Sequence, residues 1–201
     1  MDIYFITDNR PKTELYMLLQ SLLDHGLRLV QLRNKGIPIA EIEKKIEHIL
    51  PLFESYNAEL IINDHLNLAQ HFGLGVHLGI SDGDPILARE LLGTEATIGI
   101  TVHDDLQRIN QYKEIVTYVG SGPVFPTSTK HDTKPVIGVQ RLKEVVATAP
   151  LPVVAIGGIH LDNIKYLLSA RPRYIAVCSA ICSAENPQNV FISLQKTISA
   201  L

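Results

Sequence analysis

Short apolar runs alternate with longer segments of helical periodicity from one end of the chain to the other. The apolar runs are rich in Val, Ile and Leu, and Gly, Pro, Asp or Asn stands at their ends, which is typical of buried strands. We place these strands at residues 3–7, 29–32, 60–63, 75–78, 97–101, 117–120, 153–156 and 174–177. The pattern therefore predicts about eight strands.

Amphipathic segments separate the strands. Leucines recur at helical spacing in residues 13–25, and isoleucines and leucines do so in residues 40–53. Strands that alternate with helices pair in parallel through right-handed crossovers. About eight such units in 201 residues predict an α/β protein, a single (β/α)8 TIM barrel in which residues 1–201 form one domain. An open doubly wound sheet is the alternative, and residues 104–114 show the thinnest helical periodicity.

Composition narrows the function classes. A hydrophobic content of 46% and a charged content of 19% indicate a globular protein. The net charge of −3 provides no basic field of the kind that nucleic-acid binding needs. No apolar run has the length of a membrane span, and the N-terminus has no signal-peptide pattern, so we expect a cytoplasmic protein. Cys178 and Cys182 lack a CxxC spacing, so neither a zinc site nor a disulfide is expected.

In a barrel of this kind, active sites lie at the carboxyl ends of the strands. Polar and glycine-rich residues follow every predicted strand there. They occupy residues 7–8, 31–36, 63–65, 77–84, 99–103, 120–130, 157–159 and 178–181. The eight histidines are scattered, with no Ser-His-Asp ordering. Only His77, at a strand end, is a candidate site residue, and a hydrogen-bonded core histidine is the favoured interpretation. We therefore expect one polar barrel face without nucleophilic catalysis.

Three cations on this face suit a diphosphate. Arg33 and Lys35 follow the second strand two residues apart, and Lys130 ends the run "GPVFPTSTK". A guanidinium fork and two ammonium groups can share several phosphate oxygens. The alternative interpretation of Arg33 and Lys35 is a solvated basic pair on a loop.

Two carboxylates on the same face indicate a hard cation. Asp64 ends the third strand and Asp82 follows the fourth, so neighbouring strand ends bring them together. Two carboxylates favour Mg²⁺, which keeps waters and bridges substrate phosphates. The alternatives are a helix N-cap for Asp64 and a turn or cap residue ahead of Pro85 for Asp82.

Glycines after the seventh strand are candidates for a second phosphate site. Gly157 and Gly158 would let an oxyanion approach backbone N–H groups, and Ser179 opens the segment after the eighth strand. The alternative is a pair of tight strand-to-helix turns.

The ordered segments "YFITD", "VQLRNKG", "LIINDHLNLA", "GVHLGISDGD", "IGITVH", "YVGSGPVFPTSTK", "VVAIGGI" and "AVCSAI" resemble the thiamine phosphate synthase family almost end to end. The resemblance implies a barrel that joins hydroxymethylpyrimidine diphosphate to hydroxyethylthiazole phosphate with Mg²⁺, giving thiamine phosphate and pyrophosphate. It implies a dissociative substitution, in which diphosphate leaves a stabilised methylene cation that the thiazole nitrogen traps.

Residue by residue, the resemblance implies three groups of ligands. The pyrimidine diphosphate side comprises Gln31, Arg33, Lys35, Asn63 and Lys130, with Arg33, Lys35 and Lys130 acting in catalysis. The metal ligands are Asp64 and Asp82. The thiazole phosphate side comprises Thr127, Thr129, Gly157, Cys178 and Ser179. Thr101 occupies a substrate-binding position where the family usually has Ser, Ile80 stands where Gln is common, and the chain is short at its N-terminus.

Two other functions stay open at this stage. A thiazole tautomerase of the same barrel family would need a positioned acid or base and no diphosphate site, and "GSGPVF" has no histidine for that role. A non-catalytic phosphate-ligand sensor would not need Asp64 and Asp82 together. The expected partners are small molecules, neither nucleic acid nor membrane, and the oligomeric state is open, a homo-oligomer included.

Overall fold

The computed structural model of the chain describes residues 1–127 and 134–200. Parallel strands form a closed barrel in which each strand pairs with its neighbours in chain order. The strands are β1 (Asp2–Ile6), β2 (Leu29–Leu32), β3 (Glu59–Asn63), β4 (Gly75–Leu78), β5 (Ile98–His103), β6 (Tyr118–Ser121), β7 (Val153–Ile156) and β8 (Tyr174–Val177). The structure confirms the predicted (β/α)8 barrel and excludes the open sheet.

Helices follow the strands and cover the outside of the barrel. They are α1 (Lys12–Asp24), α2 (Ile39–Tyr56), α3 (Leu66–Phe72), α4 (Pro85–Leu92), α5 (Leu106–Tyr112), α6 (Gly138–Thr148), α7 (Ile164–Leu167), α8 (Ser179–Cys182) and α9 (Pro187–Ser199). Within residues 1–127 and 134–200, no helix has the length and apolar content that a bilayer crossing requires.

Alternation of side chains along each strand divides the apolar residues into two layers. Ile3 and Phe5 of β1 point outward and join the large cluster between the sheet and the helices. Tyr4 and Ile6 point inward and join a smaller cluster in the barrel interior. Residues two apart on a strand share a face, so this parity also decides which polar side chains line the interior.

Residues 104–114, whose helical periodicity is the thinnest in the sequence, contain helix α5. The Asp105 side chain accepts hydrogen bonds from the backbone N–H groups of Gln107 (2.9 Å) and Arg108 (3.0 Å), so it caps α5. A cap of this kind stabilises a short polar helix that the apolar pattern alone does not reveal.

One glycine makes room inside the barrel. A Cβ atom at Gly99 of β5 would overlap the ring of Tyr118, which fills the interior from β6. The small residue on one strand therefore accommodates the large one on the next.

The barrel closes where β1 pairs with β8, with Tyr4 opposite Ala176. At the N-terminal ends of these strands, Arg173 Nη1 lies 2.7 Å from Asp2 Oδ2. A cavity of about 930 Å³ opens at this end, lined by residues of β1, β2, β3, β8 and α9, Lys196 included, and by Arg28, which precedes β2.

Candidate active site at the carboxyl ends of the strands

Several predicted site residues lie on inward-facing positions near the carboxyl ends of their strands. Gln31 of β2 and Asn63 of β3 are buried, with 3% and 8% of their surfaces exposed. Thr101 of β5 is partly buried. The register pairs Asn63 with His77 of β4, so these polar side chains occupy adjacent strands of one rim.

A chain of hydrogen bonds crosses the barrel beneath this rim. Gln31 Nε2 donates to Tyr4 Oη (2.9 Å), and the two hydroxyls of Tyr4 and Tyr118 lie 2.8 Å apart. His77 Nδ1 lies 2.9 Å from Tyr118 Oη, and His77 Nε2 lies 3.0 Å from Thr101 Oγ1. His77 is therefore a buried, hydrogen-bonded histidine, as the sequence favoured, and the chain fixes the orientation of Gln31 and Thr101.

The two tyrosines in this chain stay neutral. Burial raises the pKa of Tyr4, and burial together with the proximity of Tyr4 raises the pKa of Tyr118 well above its usual value. The floor of the site thus consists of uncharged hydroxyl groups.

The loop after β2 is held by the loop after β1. The backbone N–H of Arg33 donates to Thr7 Oγ1 (3.0 Å), and Asn9 Nδ2 donates to the carbonyl oxygen of Lys35 (2.9 Å). Arg33 Nε is buried and has no hydrogen-bond partner within the described part of the chain. A buried donor of this kind is costly unless a ligand satisfies it, so the site fits an anion beside Arg33.

Lys35 and Asp64 meet at the ends of β2 and β3. Lys35 Nζ lies 3.1 Å from Asp64 Oδ2, and the Asp64 side chain is 17% exposed. The backbone of Asp64 has a φ of 65°, and its N–H donates to the carbonyl oxygen of His77 (2.9 Å). The carboxylate is therefore tied to the strand ends and already attracts a positive charge.

Asp64 and Asp82 do not cap helices. His65 is the N-cap residue of α3, and Asp84 caps α4 by accepting from the N–H of Ile86 (2.9 Å). The carboxylate of Asp82 instead lies over Gly79, where a Cβ atom would overlap it.

The capping interpretations are therefore wrong for both residues. The two carboxylates follow neighbouring strands at one rim, and oxygen ligands are those that Mg²⁺ prefers. Across the described ranges, the structure has no group of three or more His, Cys, Asp or Glu side chains that could hold a metal ion. These two carboxylates are thus suited to a metal that takes its remaining ligands from water and substrate.

The loop after β6 packs against the end of β7. The N–H of Val124 donates to the carbonyl oxygen of Ile156 (2.9 Å), and the N–H of Phe125 donates to that of Gly157 (3.1 Å). Gly157 has a φ of 102°, and a Cβ atom there would come within 2.5 Å of Pro123. Glycine is therefore required at this position by packing, independently of any phosphate that approaches its backbone.

Of the hydroxyl run in "GPVFPTSTK", the structure describes Thr127, which is partly exposed and makes at least one polar or electrostatic interaction. The predicted ligands Thr129 and Lys130 lie outside the described residues.

Cys178 and Ser179 stand where β8 gives way to the single turn of α8. Cys178 and Cys182 are free thiols. The hydrogen bond from Cys182 lowers the pKa of Cys178, and the charge of Arg33 acts in the same direction although burial opposes both. The positive charge of Arg33 therefore acts on the thiol at the end of β8.

Sequence reasoning missed Tyr4 and Tyr118. Their contact depends on which strands lie opposite each other across the barrel interior, and this cannot be derived from the sequence pattern. The sequence shows only that each is a tyrosine within a predicted strand. Sequence reasoning also did not predict the ion pair between Arg10 and Asp8, in which Arg10 Nε lies 2.6 Å from Asp8 Oδ1. Each of these two charges is therefore neutralised by the other.

The rim therefore combines Arg33, whose buried Nε has no partner in the described part of the chain, a lysine and two carboxylates after β2, β3 and β4 with the partly buried Gly157 and Cys178 after β7 and β8. This arrangement can bind two anionic groups side by side, one of them with a divalent cation.

Comparison with known proteins gives consistent matches. A family model described as thiamine monophosphate synthase matches residues 3–181. The chain is 38% identical to the thiamine-phosphate synthase of Caldicellulosiruptor bescii over 88% of this chain and 81% of that protein. It is 35% identical to the thiamine-phosphate synthase of Leptospira biflexa over 96% and 95% of the two chains.

Among solved structures, thiamine phosphate pyrophosphorylase from Pyrococcus furiosus superposes with a TM-score of 0.86 at 30% identity, covering 99% of this chain and 96% of that one. The barrel of 3-hexulose-6-phosphate synthase from Salmonella typhimurium has a TM-score of 0.72 at 18% identity over 98% of each chain, which shows a shared fold alone.

Proposed function

The chain belongs to the thiamine monophosphate synthase family, and from this premise we propose how its barrel rim forms thiamine phosphate. It is a transferase that joins a pyrimidine diphosphate to a thiazole phosphate and releases pyrophosphate, so its substrates are small molecules. The observations that carry the residue assignment are the buried Arg33 Nε, which has no hydrogen-bond partner among residues 1–127 and 134–200, and the contact between Lys35 and Asp64.

The pyrimidine diphosphate binds at the ends of β2 and β3. Arg33, Lys35 and Lys130 hold the diphosphate oxygens and stabilise the charge that develops on the leaving group, with Lys130 assigned from the sequence. Asn63 contributes a buried amide at the same rim. Gln31 and Thr101, whose side chains are fixed from below by Tyr4 and His77, contact the pyrimidine.

Mg²⁺ fits the carboxylates of Asp64 and Asp82. Neither is the N-cap residue of the helix that follows it, and the contact of the Lys35 ammonium with Asp64 supports a cation beside this carboxylate. When bound there, the ion supplies charge neutralisation to the departing diphosphate. Lys35 can then turn from Asp64 to a phosphate oxygen, because its side chain is half exposed.

The thiazole phosphate binds on the opposite side of the rim. Thr127 and Thr129 provide hydroxyl groups, and Gly157, Cys178 and Ser179 provide backbone N–H groups at the ends of β7 and β8. We infer that the thiazole nitrogen faces the pyrimidine methylene carbon across the barrel mouth.

The residues suit a dissociative substitution. A pyrimidine with an electron-donating amino group can lose diphosphate and leave a stabilised cation, so the protein needs positioning and charge stabilisation and no strong nucleophile. The hydroxyls beneath the rim are neutral because burial raises the pKa of Tyr4 and Tyr118, so they provide no phenolate that could trap the cation.

Mass spectrometry tests the proposal directly. The purified protein is mixed with both substrates and Mg²⁺, and we expect thiamine phosphate and pyrophosphate in equal amounts, with omission of either substrate as the control. An isomerised thiazole without coupling would favour a tautomerase, and binding of either phosphate without turnover would favour a sensor. Either result would overturn the assignment.

A further inference from the structure

An interior chain of hydrogen-bonded side chains crosses the barrel from β2 to β5. It runs, in this order, through Gln31, Tyr4, Tyr118, His77 and Thr101. Its two ends are the side chains proposed to contact the pyrimidine, and its middle members lie beneath them. The middle members can therefore act on the substrate only through the two ends.

The direction of the interior chain follows from the number of protons that each member can donate. Gln31 Nε2 is a donor and lies 2.9 Å from Tyr4 Oη, so the Tyr4 hydroxyl accepts from it. Tyr4 is buried, and among the described residues its own hydroxyl proton has one acceptor, Tyr118 Oη at 2.8 Å. Because an unsatisfied buried donor is costly, Tyr4 donates to Tyr118.

The same count determines the tautomer of His77. Tyr118 accepts from Tyr4, so it donates its single proton to His77 Nδ1, 2.9 Å away. Both tyrosines have this proton to donate because burial raises their pKa. An imidazole that accepts at Nδ1 is neutral and carries its proton on Nε2, so Nε2 donates to Thr101 Oγ1 (3.0 Å).

The two ends of the interior chain are left with opposite polarity. The Thr101 side chain accepts from His77, its one hydrogen-bond partner among the described residues, and keeps a hydroxyl proton that it can donate. Gln31 donates to Tyr4 through its nitrogen, and its carboxamide oxygen accepts no hydrogen bond from the described part of the chain. The Thr101 end is thus a donor, and the Gln31 end offers an acceptor.

An amide of Gln31 turned the other way round would reverse every step of the interior chain. Its oxygen would accept from Tyr4, and His77 would carry its proton on Nδ1. Thr101 would then donate to His77 and present only lone pairs to a ligand. The two directions therefore differ in the tautomer of one buried histidine, which can be measured.

We propose that the interior chain is one-way in the observed direction and selects an aminopyrimidine, with Thr101 donating to a ring nitrogen and the Gln31 oxygen accepting from the exocyclic amine. Tyr4, Tyr118 and His77 are positioning residues, because they set this polarity without touching the substrate. The identity of the ligand rests on the proposed function. A 4-oxopyrimidine presents a carbonyl oxygen to the acceptor and a ring N–H to the donor, so neither end can pair with it.

Nitrogen NMR of the His77 ring tests the direction of the interior chain without any ligand. At about pH 7, the wild type should show a protonated Nε2 and an unprotonated Nδ1. A ring that carries a proton on Nδ1, alone or together with Nε2, would overturn the proposal. This measurement needs no variant, so it does not depend on how a substituted interior folds.

Gln31→Glu replaces the donor at the first end of the interior chain by a group that can only accept when ionised. At about pH 8, well above the usual pKa of glutamate, Tyr4 should donate to the introduced carboxylate and the proton of His77 should move to Nδ1. Adding Tyr4→Phe breaks this link, so Tyr118 should again donate to His77 and restore the Nε2 tautomer. His77 signals that stay unchanged in the single variant would refute the transmission of polarity along the chain.

Calorimetry with two pyrimidine diphosphates, in the presence of Mg²⁺ and without thiazole phosphate, tests the selection. The wild type should bind the 4-amino compound about a hundredfold more tightly than the 4-oxo compound, about tenfold for each mismatched contact. Thr101→Val removes the hydroxyl and should reduce this ratio to about tenfold, and Thr101→Ser should restore it. Equal affinities in the wild type, or an unchanged ratio in Thr101→Val, would overturn the selection. If neither compound binds, the proposed function fails, whereas the His77 tautomer still decides the direction of the interior chain.

Discussion

The two ends of the barrel differ in the partners of the arginine side chains compared here, Arg173 and Arg28 at one end and Arg33 at the other. At the N-terminal end, Arg173 pairs with Asp2 at 2.7 Å and stacks on Tyr174, while Arg28 donates to the Leu27 carbonyl oxygen at 2.6 Å. At the C-terminal end, Arg33 Nε is buried and unpartnered among the described residues. The N-terminal end nevertheless has a cavity of about 930 Å³.

Cavity size is therefore a poor guide to the chemistry of this molecule. A large groove whose arginines already have internal partners offers little to an anion, whereas an unsatisfied buried donor gains a full hydrogen bond from one. The difference supports the proposed binding of ligands at the C-terminal rim, and paired substitutions at the two ends test it.

The carboxylates provide the largest expected contrast. Asp64→Asn or Asp82→Asn should lower the rate of thiamine phosphate formation by about a thousandfold at saturating Mg²⁺, because the leaving diphosphate loses its metal. Asp2→Asn removes a carboxylate at the other end and should leave the rate within about twofold. Mass-spectrometric initial rates measure all three, and near-normal turnover of both rim variants would refute the metal assignment.

The arginines come next. Arg33→Lys keeps the charge and loses the forked donor, so kcat/KM for the pyrimidine diphosphate should fall about a hundredfold. Arg173→Lys is the matched change at the N-terminal end, where we expect less than a twofold effect. Equal losses in the two variants would mean that the ends do not differ in the way proposed.

Substitutions in the barrel interior, between the two ends, should change the free energy of unfolding rather than the reaction rate. Tyr118→Phe removes a hydroxyl that hydrogen-bonds to both Tyr4 and His77, and the loss of these two buried hydrogen bonds should lower the free energy of unfolding by about 2 kcal/mol. Tyr174→Phe, at the N-terminal mouth, should change it by less than about 0.5 kcal/mol. Urea unfolding of both variants checks this, and indistinguishable midpoints would argue against the buried chain.

The smallest expected effect concerns pH. Since Arg141 lowers the folded-state pKa of Asp104, this pair stabilises the fold above the unfolded pKa of about 3.9 and ceases to do so as the pH falls through the lower folded value. Both side chains are about one-third exposed, so solvent screens the pair and Asp104→Asn should lower Tm by only about 1–2 °C near pH 7.

The difference between Asp104→Asn and wild type should shrink as the pH falls from about 7 towards about 2, because the carboxyl approaches its lowered folded-state pKa. Asp2→Asn, in the exposed pair of the other end, should shift Tm by less at either pH. A Tm difference at Asp104 that grows in acid would contradict the sign.

Much of this architecture could be predicted from the sequence, because barrel strands buried on both faces appear as short apolar runs and the polar residues after them share one rim. The strand at residues 153–156 was predicted with its observed bounds. The strand predicted at 97–101 continues to His103, since a left-handed residue at a register shift has no apolar signature.

Contacts across the interior could not be predicted in the same way. The side chains that contact Tyr118 are determined by the strand tilt and by the space left by Gly99. Neither of these can be derived from the local pattern of apolar and polar residues. The helix caps are a similar case, since Asp64 and Asp84 both precede a helix and only Asp84 accepts the capping hydrogen bond.

The closure of β1 on β8 has a consequence for synthesis on the ribosome. The residues that lock this seam, Asp2 and Arg173, are 171 positions apart, so β1 must wait with an open edge while almost the entire nascent chain is translated. Cys178 and Ser179 follow directly after the closing strand. The part of the rim after β8, on the proposed thiazole phosphate side, is consequently among the last parts of the protein to be assembled, and a stalled translation product would lack it.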